Sequence, residues 1–345
     1  MKHLLLLTLA MGTLSVNSFA KIWRVNNNPG IQASFTTIQA AHNGAANGDT
    51  LYIESSQTSY GALACSKRLV IIGTGYFLPG RELQAFDYAS LVGTINFNSG
   101  SNGSVVEGVS FNGSGVYIYD HNITVRRNNF ASSSGSNTAD YATGTVSINW
   151  GVINTVVTQN FGLTISCNND ASTGILIANN YIAVGAGSGN TTTGNCLNLN
   201  TSATAIIKNN IFGRGTVSVH NSNIMNNIMI NGFFNGNSNL IANNLASGAQ
   251  FGTANGNQAS VIMANVFETT ATLDSYYKLK SGSPAIGAGY GSTAQNPVDA
   301  GMFGGSRPYV LSGIPAIPAI YMVTNQPVGS NSDPVDVEVR VRSNN

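Results

Sequence analysis

Ile207-Lys208-Asn209-Asn210-Ile211-Phe212 is followed by Ile224-Met225-Asn226-Asn227-Ile228-Met229 and then by Ile241-Ala242-Asn243-Asn244-Leu245-Ala246, each 17 residues after the last. Outward from this passage the leading β-branched residue recurs at Val106, Val125, Val157, Ile177, Ile207, Ile224, Ile241 and Ile262. Three positions later stand Val109 and then Asn128, Asn160, Asn180, Asn210, Asn227, Asn244 and Asn265. Two positions beyond comes a mostly apolar column of Phe111, Phe130, Gly162, Ile182, Phe212, Met229, Ala246 and Phe267. Intervals along the asparagine column are 19, 32, 20, 30, 17, 17 and 21 residues. A unit this short cannot enclose a core of its own and must stack on its neighbours.

Stiff Val and Ile suit inward strand positions, where they pack on the turn above and below. Asparagine suits a sharp corner, because it tolerates left-handed backbone and its amide bonds nearby main chain. Stacked at the ~4.8 Å strand spacing, identical amides can also bond one another as a ladder. A second column, Asn179, Asn209, Asn226 and Asn243, precedes the first. The expected fold is therefore all-β: a single-stranded parallel β-helix with coils of 17–21 residues, right-handed by the general preference of parallel crossovers. A β-sandwich with regularly spaced strands is the competing architecture, but sandwich strands would not keep asparagine in register through consecutive repeats. The two long intervals hold their surplus in Ser132 to Thr143 and in Gly185 to Gly194, which read as excursions from single coils.

Charged residues make up 8% of the chain, against about 25% in ordinary domains. Net charge is +1 with no basic cluster, which argues against nucleic acid and anionic membrane as partners. Residues 1–20 carry Lys2, an apolar run from Leu4 to Leu14, and Ser18-Phe19-Ala20. That is the pattern of a secretory signal peptide cut after Ala20, placing the mature chain in the periplasm, on the cell surface or outside the cell. Later apolar runs are too short for a membrane span.

Residues 21–48 are expected to form an N-terminal cap, with a short amphipathic helix starting near Ser34-Phe35-Thr36-Thr37 and ending at Asn47-Gly48. The β-helix is assigned to 49–307, its last irregular coil formed by Ser283–Gly289 and Asp299–Gly305. The Pro-rich tail, 308–345, ends with Val335, Val337, Val339 and Val341 alternating with charged residues, the period of a half-buried strand. That strand is free to lie on the helix side, cap its end, begin a further module, or self-associate. Cys65, Cys167 and Cys196 are odd in number, and phase favours buried thiols over a Cys167–Cys196 bridge.

Trp23-Arg24-Val25-Asn26-Asn27, Ala46-Asn47-Gly48-Asp49-Thr50-Leu51-Tyr52-Ile53, Val70-Ile71-Ile72-Gly73, Ile207–Phe212 and Ser283-Pro284-Ala285-Ile286-Gly287-Ala288-Gly289 carry a resemblance. The chain resembles the pectin-lyase-like, right-handed β-helix superfamily, and within it secreted bacterial proteins of unassigned activity. Many superfamily members cut or remodel acidic polysaccharides, and the resemblance implies a glycan as partner. Its pectin-type hydrolases carry clustered aspartates with Gly-His-Gly and Arg-Ile-Lys, none of which stands here.

Chemistry is sparse. Between residues 100 and 270 the acids are Glu107, Asp120, Asp140, Asp170 and Glu268, and a glycosidase needs two carboxylates about 5–10 Å apart. The densest polar group is Asp120 and His121 with Arg126 and Arg127, joined by Asp140 and Tyr141. In a lyase or hydrolase of acidic polysaccharide, Asp120 or His121 would be the base and Arg127 would neutralise the uronate. Ca²⁺ would enter under the lyase reading only; no metal centre or cofactor is otherwise expected. Tyr117 and Trp150 would stack on sugar rings. Glu107 and Arg126 share a phase one coil apart and should pair. His121 and His220 share a phase but lie four coils apart. Taken together, the residues read first as an exported non-catalytic scaffold or surface protein facing glycans, and second as the enzyme.

Overall fold

A computed structural model describes residues 20–131, 144–149, 151–167, 171–185, 194–326, 329–330 and 334–344. The expected leader lies outside them except for Ala20, as do most of the two long excursions. The described chain is all-β and mainly parallel, with one short α-helix.

Three runs of parallel pairing follow one another round each turn. The first face stacks Ile22–Val25, Thr50–Ile53, Val70–Ile72, Val105–Glu107, Thr124–Arg126, Val156–Thr158, Ile175–Ala178, Ala205–Lys208, Asn223–Met225 and Leu240–Ala242 in that order. Val106, Val125, Val157, Ile177, Ile207, Ile224 and Ile241 are direct lateral partners, so the β-branched column is one vertical row. The second face carries Val109–Ser110, Asn129, Phe161, Tyr181–Ala183, Ile211–Arg214, Ile228–Met229 and Leu245–Ala246. The third runs through Leu63–Cys65, Ile95–Phe97, Val116–Ile118, Gly144–Ile148, the end of Phe161–Cys167, Asn195–Leu199, Thr216–Ser218 and Phe233–Asn235. The chain leaves the second face at Ala131 and Gly185 and resumes the third at Gly144 and Gly194, so both excursions interrupt the same junction. That turn brings backbones very close. A Cβ added at Gly232 would sit 2.0 Å from the Gly215 carbonyl oxygen, which only glycine permits.

The corner between first and second faces divides two duties between adjacent residues. Arg127, Gln159, Asn179, Asn209, Asn226 and Asn243 take the left-handed backbone, with φ of 55–60°. The next residue makes the ladder. Asn128, Asn160, Asn180, Asn210, Asn227 and Asn244 are fully buried. Asn128 Oδ1 accepts the Val109 backbone N–H at 3.2 Å, and each of the other five accepts the backbone and side-chain N–H of the asparagine before it. Their own amides also donate to a carbonyl of the preceding coil, such as Asn210 Nδ2 to Ile177 O at 2.9 Å. Asn265 does not belong to this ladder. The last coil lacks a third-face strand and turns early, so Asn257 arrives after 13 residues and accepts from Asn244 at 2.9 and 3.0 Å. Asn265 lies in a 3-10 turn, and Ile262 is 66% exposed rather than inside the stack. Phe251, packed 5.4 Å from Phe234, closes this end.

At the other end Ile38–Gly44 forms the capping helix α1, with Thr37 Oγ1 accepting from Ala40 N and Ile38 and Ala41 buried on the first coils. It ends at Gly44, earlier than expected, because Lys67 Nζ takes up the carbonyls of His42, Asn43 and Ala45. All three cysteines are buried.

Ser283–Gly289 and Asp299–Gly305 are not a final coil. From Ala288 onward the chain turns back and runs along the outside of the asparagine corner. Asn243 donates to Ala288 O, Asn209 to Asp299 O and Asn179 to Met302 O and Gly304 O. Gln159 then donates to Pro308 O and Arg127 to Ile314 O. This strap covers the second face, whose outward Phe161, Tyr181, Ile211, Ile228 and Leu245 join Tyr277, Ala285, Ala300, Met302 and Tyr309 in a second apolar cluster. A face apolar on both sides is buried on both sides. Each of those five side chains contributes about 1.5–3 kcal/mol before chain entropy is set against it.

Buried hydroxyls and a thiol sit in this framework. Burial pushes the Tyr60 phenol and the Cys196 thiol up to about 12, and holds Tyr76 and Tyr309 well above the usual phenol range. All four values are raised in the folded state, so their contribution to stability is whole below the unfolded pKa values of 9.0 and 10.0. It is lost as pH climbs through that range toward the folded values. The urea midpoint is accordingly expected to fall steadily above pH 9.0; a midpoint level up to pH about 11 would contradict this assignment.

Candidate functional site

Tyr117 lies on the third face in the strand Val116–Ile118 and is 39% exposed; Tyr119, just past it, is 50% exposed. Asp120 and His121 occupy the turn that follows. Asp120 Oδ2 accepts the backbone N–H of Gly100 and Asn102, at 2.9 and 3.0 Å, and Oδ1 accepts that of His121 at 2.8 Å. His121 Nδ1 accepts the Ile153 N–H at 3.2 Å. Both side chains therefore tie one coil to the next.

Arg126 points outward from the first face and pairs with Glu107, Nε to Oε2 at 2.5 Å, as its phase predicts. The pair is half-buried: the Glu107 side chain keeps 5% of its surface exposed and that of Arg126 41%. Arg127, the next residue, holds the left-handed corner and turns away. Its guanidinium donates to Gln159 Oε1 at 3.1 Å and to Ile314 O at 3.2 Å, and burial lowers its pKa. Thus Asp120 and His121 act in one turn, Arg126 on the first face and Arg127 under the strap. Asp140, Tyr141 and Trp150 lie outside the described residues. Among the described residues, no three His, Cys, Asp or Glu side chains come together as a metal set, and no helix is long and apolar enough to cross a membrane.

Two polar groups lie outside residues 100–270. One lies in a groove of about 640 Å³ between the first coils and the C-terminal hairpin. There Arg24 makes a two-pronged pair with Glu54, and Asn26 Nδ2 donates to Glu54 Oε2 at 2.6 Å. Tyr52 lines the same groove, its phenol raised by burial and then by the Glu54 charge. The lateral pairing Arg24↔Tyr52 brings these residues together. These residues precede the first repeat at Val106, so the repeat carries no signal for them.

The other group centres on Asp274, fully buried. Its carboxylate accepts from Arg81 Nη1 at 3.1 Å, from Tyr309 OH at 3.2 Å and from Ser312 N at 2.5 Å. Tyr76 and Tyr309 hydroxyls meet at 2.6 Å behind it. Every donor here serves a structural end, clamping the strap to the loop after the third first-face strand.

The third face differs from all of this. Asn96, Tyr117, Ser147, Ser166, Asn198, Ser218 and Asn235 are successive lateral partners, and Thr145 and Thr164 bond through their hydroxyls at 2.7 Å beside them. Its strands contain no charged residue. The result is a field of amides and hydroxyls rising at the strand spacing, with two tyrosines on it. Neither a protein family, a curated protein nor a solved structure matches this chain.

Proposed function

We propose that the chain is a right-handed parallel β-helix of pectin-lyase-like type, exported by its leader, that binds glycan without turning it over. The third face carries this reading. Its row of Asn and Ser side chains repeats at ~4.8 Å and offers both donors and acceptors to successive sugar rings. Tyr117 and Tyr119 add amphipathic rings, able to stack on a sugar while the hydroxyl stays in water. An uncharged field favours neutral glycans over uronates, because nothing on it would offset the desolvation of a carboxylate. The enzyme reading asks Asp120, His121, Arg126 and Arg127 to meet one substrate, whereas each already bonds the coil, carboxylate or strap beside it.

A glycan array probed with the full chain tests the proposal. Binding to neutral polysaccharides is expected, weakened about tenfold by Tyr117→Ala and by Tyr119→Ala with thermal stability unchanged. An array without ligands, or turnover of a uronate polymer that Asp120→Ala abolishes, would sink it.

A further inference from the structure

The C-terminal hairpin pairs Ala319–Asn325 with Val337–Arg342 in antiparallel register. This sheet has two strands. The inner one is held at Ile320, whose carbonyl accepts from Ala85 N. Among the described residues, the outer strand keeps one edge open. Val337, Val339 and Val341 alternate on one side of it, level with Ile320 and Val323, and all five are about half exposed or more. Glu338 and Arg340 stand on the other side, both more than half exposed, and Arg340 Nε donates to Glu338 Oε1 at 2.6 Å within the strand, a surface pair that an opposite charge on a second copy can share. An open edge backed by an exposed apolar face is a template for another strand.

We infer that the occupant is a second copy of the same strand, joined across a two-fold axis at Val339. Charge selects both partner and register. In an antiparallel two-fold pair, residues opposite each other lie on the same side of the sheet, so the axis passes through a residue and shifts in steps of one along the strand. Centred on Val339, the pairing sets Glu338 against Arg340 of the second copy and Asp336 against Arg342. Val337 then faces Val341, and Val339 faces itself. Centred on Glu338 or on Arg340, the pairing would place a like charge directly opposite itself, which is destabilising. One register is attractive at every charged position, and the same register makes the two valine rows continuous. The dimer joins two stacks at their first-coil ends, because the hairpin lines the groove containing Arg24 and Glu54. This inference does not depend on the glycan reading.

Light scattering of the full chain over a range of concentrations tests it. A dimer is expected, with Kd raised about tenfold by E338R and by R340E. The double variant E338R/R340E should restore wild-type association, because each swapped pair is again of opposite sign. In V339C the new thiols face each other across the axis, and mild oxidation should join two chains through that position alone, Cys65, Cys167 and Cys196 being buried. A monomer at every concentration overturns the inference. So does a dimer indifferent to both charge reversals, or one in which V339C does not cross-link.

Discussion

Asn210→Ala is expected to destabilise the protein by about 3–5 kcal/mol, one of the two largest losses available to a single substitution here. The Asn210 amide meets three coils at once. Its Oδ1 accepts from Asn180 N and Asn180 Nδ2, both at 3.0 Å. Its Nδ2 donates to Ile177 O at 2.9 Å, Lys208 O at 3.1 Å and Asn227 Oδ1 at 3.0 Å. With the residue fully buried, water cannot replace those partners, and each orphaned group costs about 1–3 kcal/mol. Asn210→Asp should be worse still, since a carboxylate offers no donor and would face the carbonyls of Ile177 and Lys208. Asn221 supplies the control. It takes a left-handed corner, as Asn209 does, but it is exposed and makes a bond to Thr201 O at the surface, so its alanine variant should lose under about 1 kcal/mol. Urea unfolding followed by circular dichroism measures all three. Equal, small losses at Asn210 and Asn221 would mean that the ladder orders the corner without stabilising it.

Asp274→Ala comes next, at about 3–5 kcal/mol. Removing the carboxylate leaves the Arg81 guanidinium, the Ser312 N–H and the Tyr309 hydroxyl facing an empty buried site. The strap should loosen with it, and limited proteolysis is expected to cut within residues 286–314 while the coils stay intact. Arg81→Met in the same chain should recover part of the loss, because it removes the lone cation. A double-mutant cycle gives the coupling directly. Additive single and double variants would show that the pair does not act as a unit.

These two sites differ in how far the sequence discloses them. Asn210 is legible because its neighbours repeat at a fixed interval, and stacking turns that interval into vertical register. The same logic reads the row from Val106 to Ile241 and the Glu107–Arg126 pair. It fails at Asn265, where the final turn is shortened and Asn257 reaches the ladder first. It also merges two roles, since the left-handed corner falls to Asn179, Asn209, Asn226 and Asn243, and the ladder to the residue after each. The strap is illegible for a different reason. Outer-corner side chains bind it through backbone carbonyls, which every residue possesses, so its sequence need show no period. Asp274 and Arg81 are 193 positions apart, with nothing local to link them. As for Asp120, His121, Arg126 and Arg127, phase gives the coil and face of each residue. It does not say which backbone groups will claim the side chain, and that separated the candidate cluster.

A stack in which each turn touches only the turns above and below behaves as a one-dimensional array, free to fray from its ends or split in the middle. The strap adds a second set of links, since residues within one short run hold six separate turns, from Asn243 at one end to Arg127 near the other. Opening any turn in the middle then means detaching a segment that others still hold. Melting should therefore be a single all-or-none event across the strapped turns, and because those links come from residues 288–314, C-terminal to every turn they hold, cooperativity arrives only after all of those turns have been made.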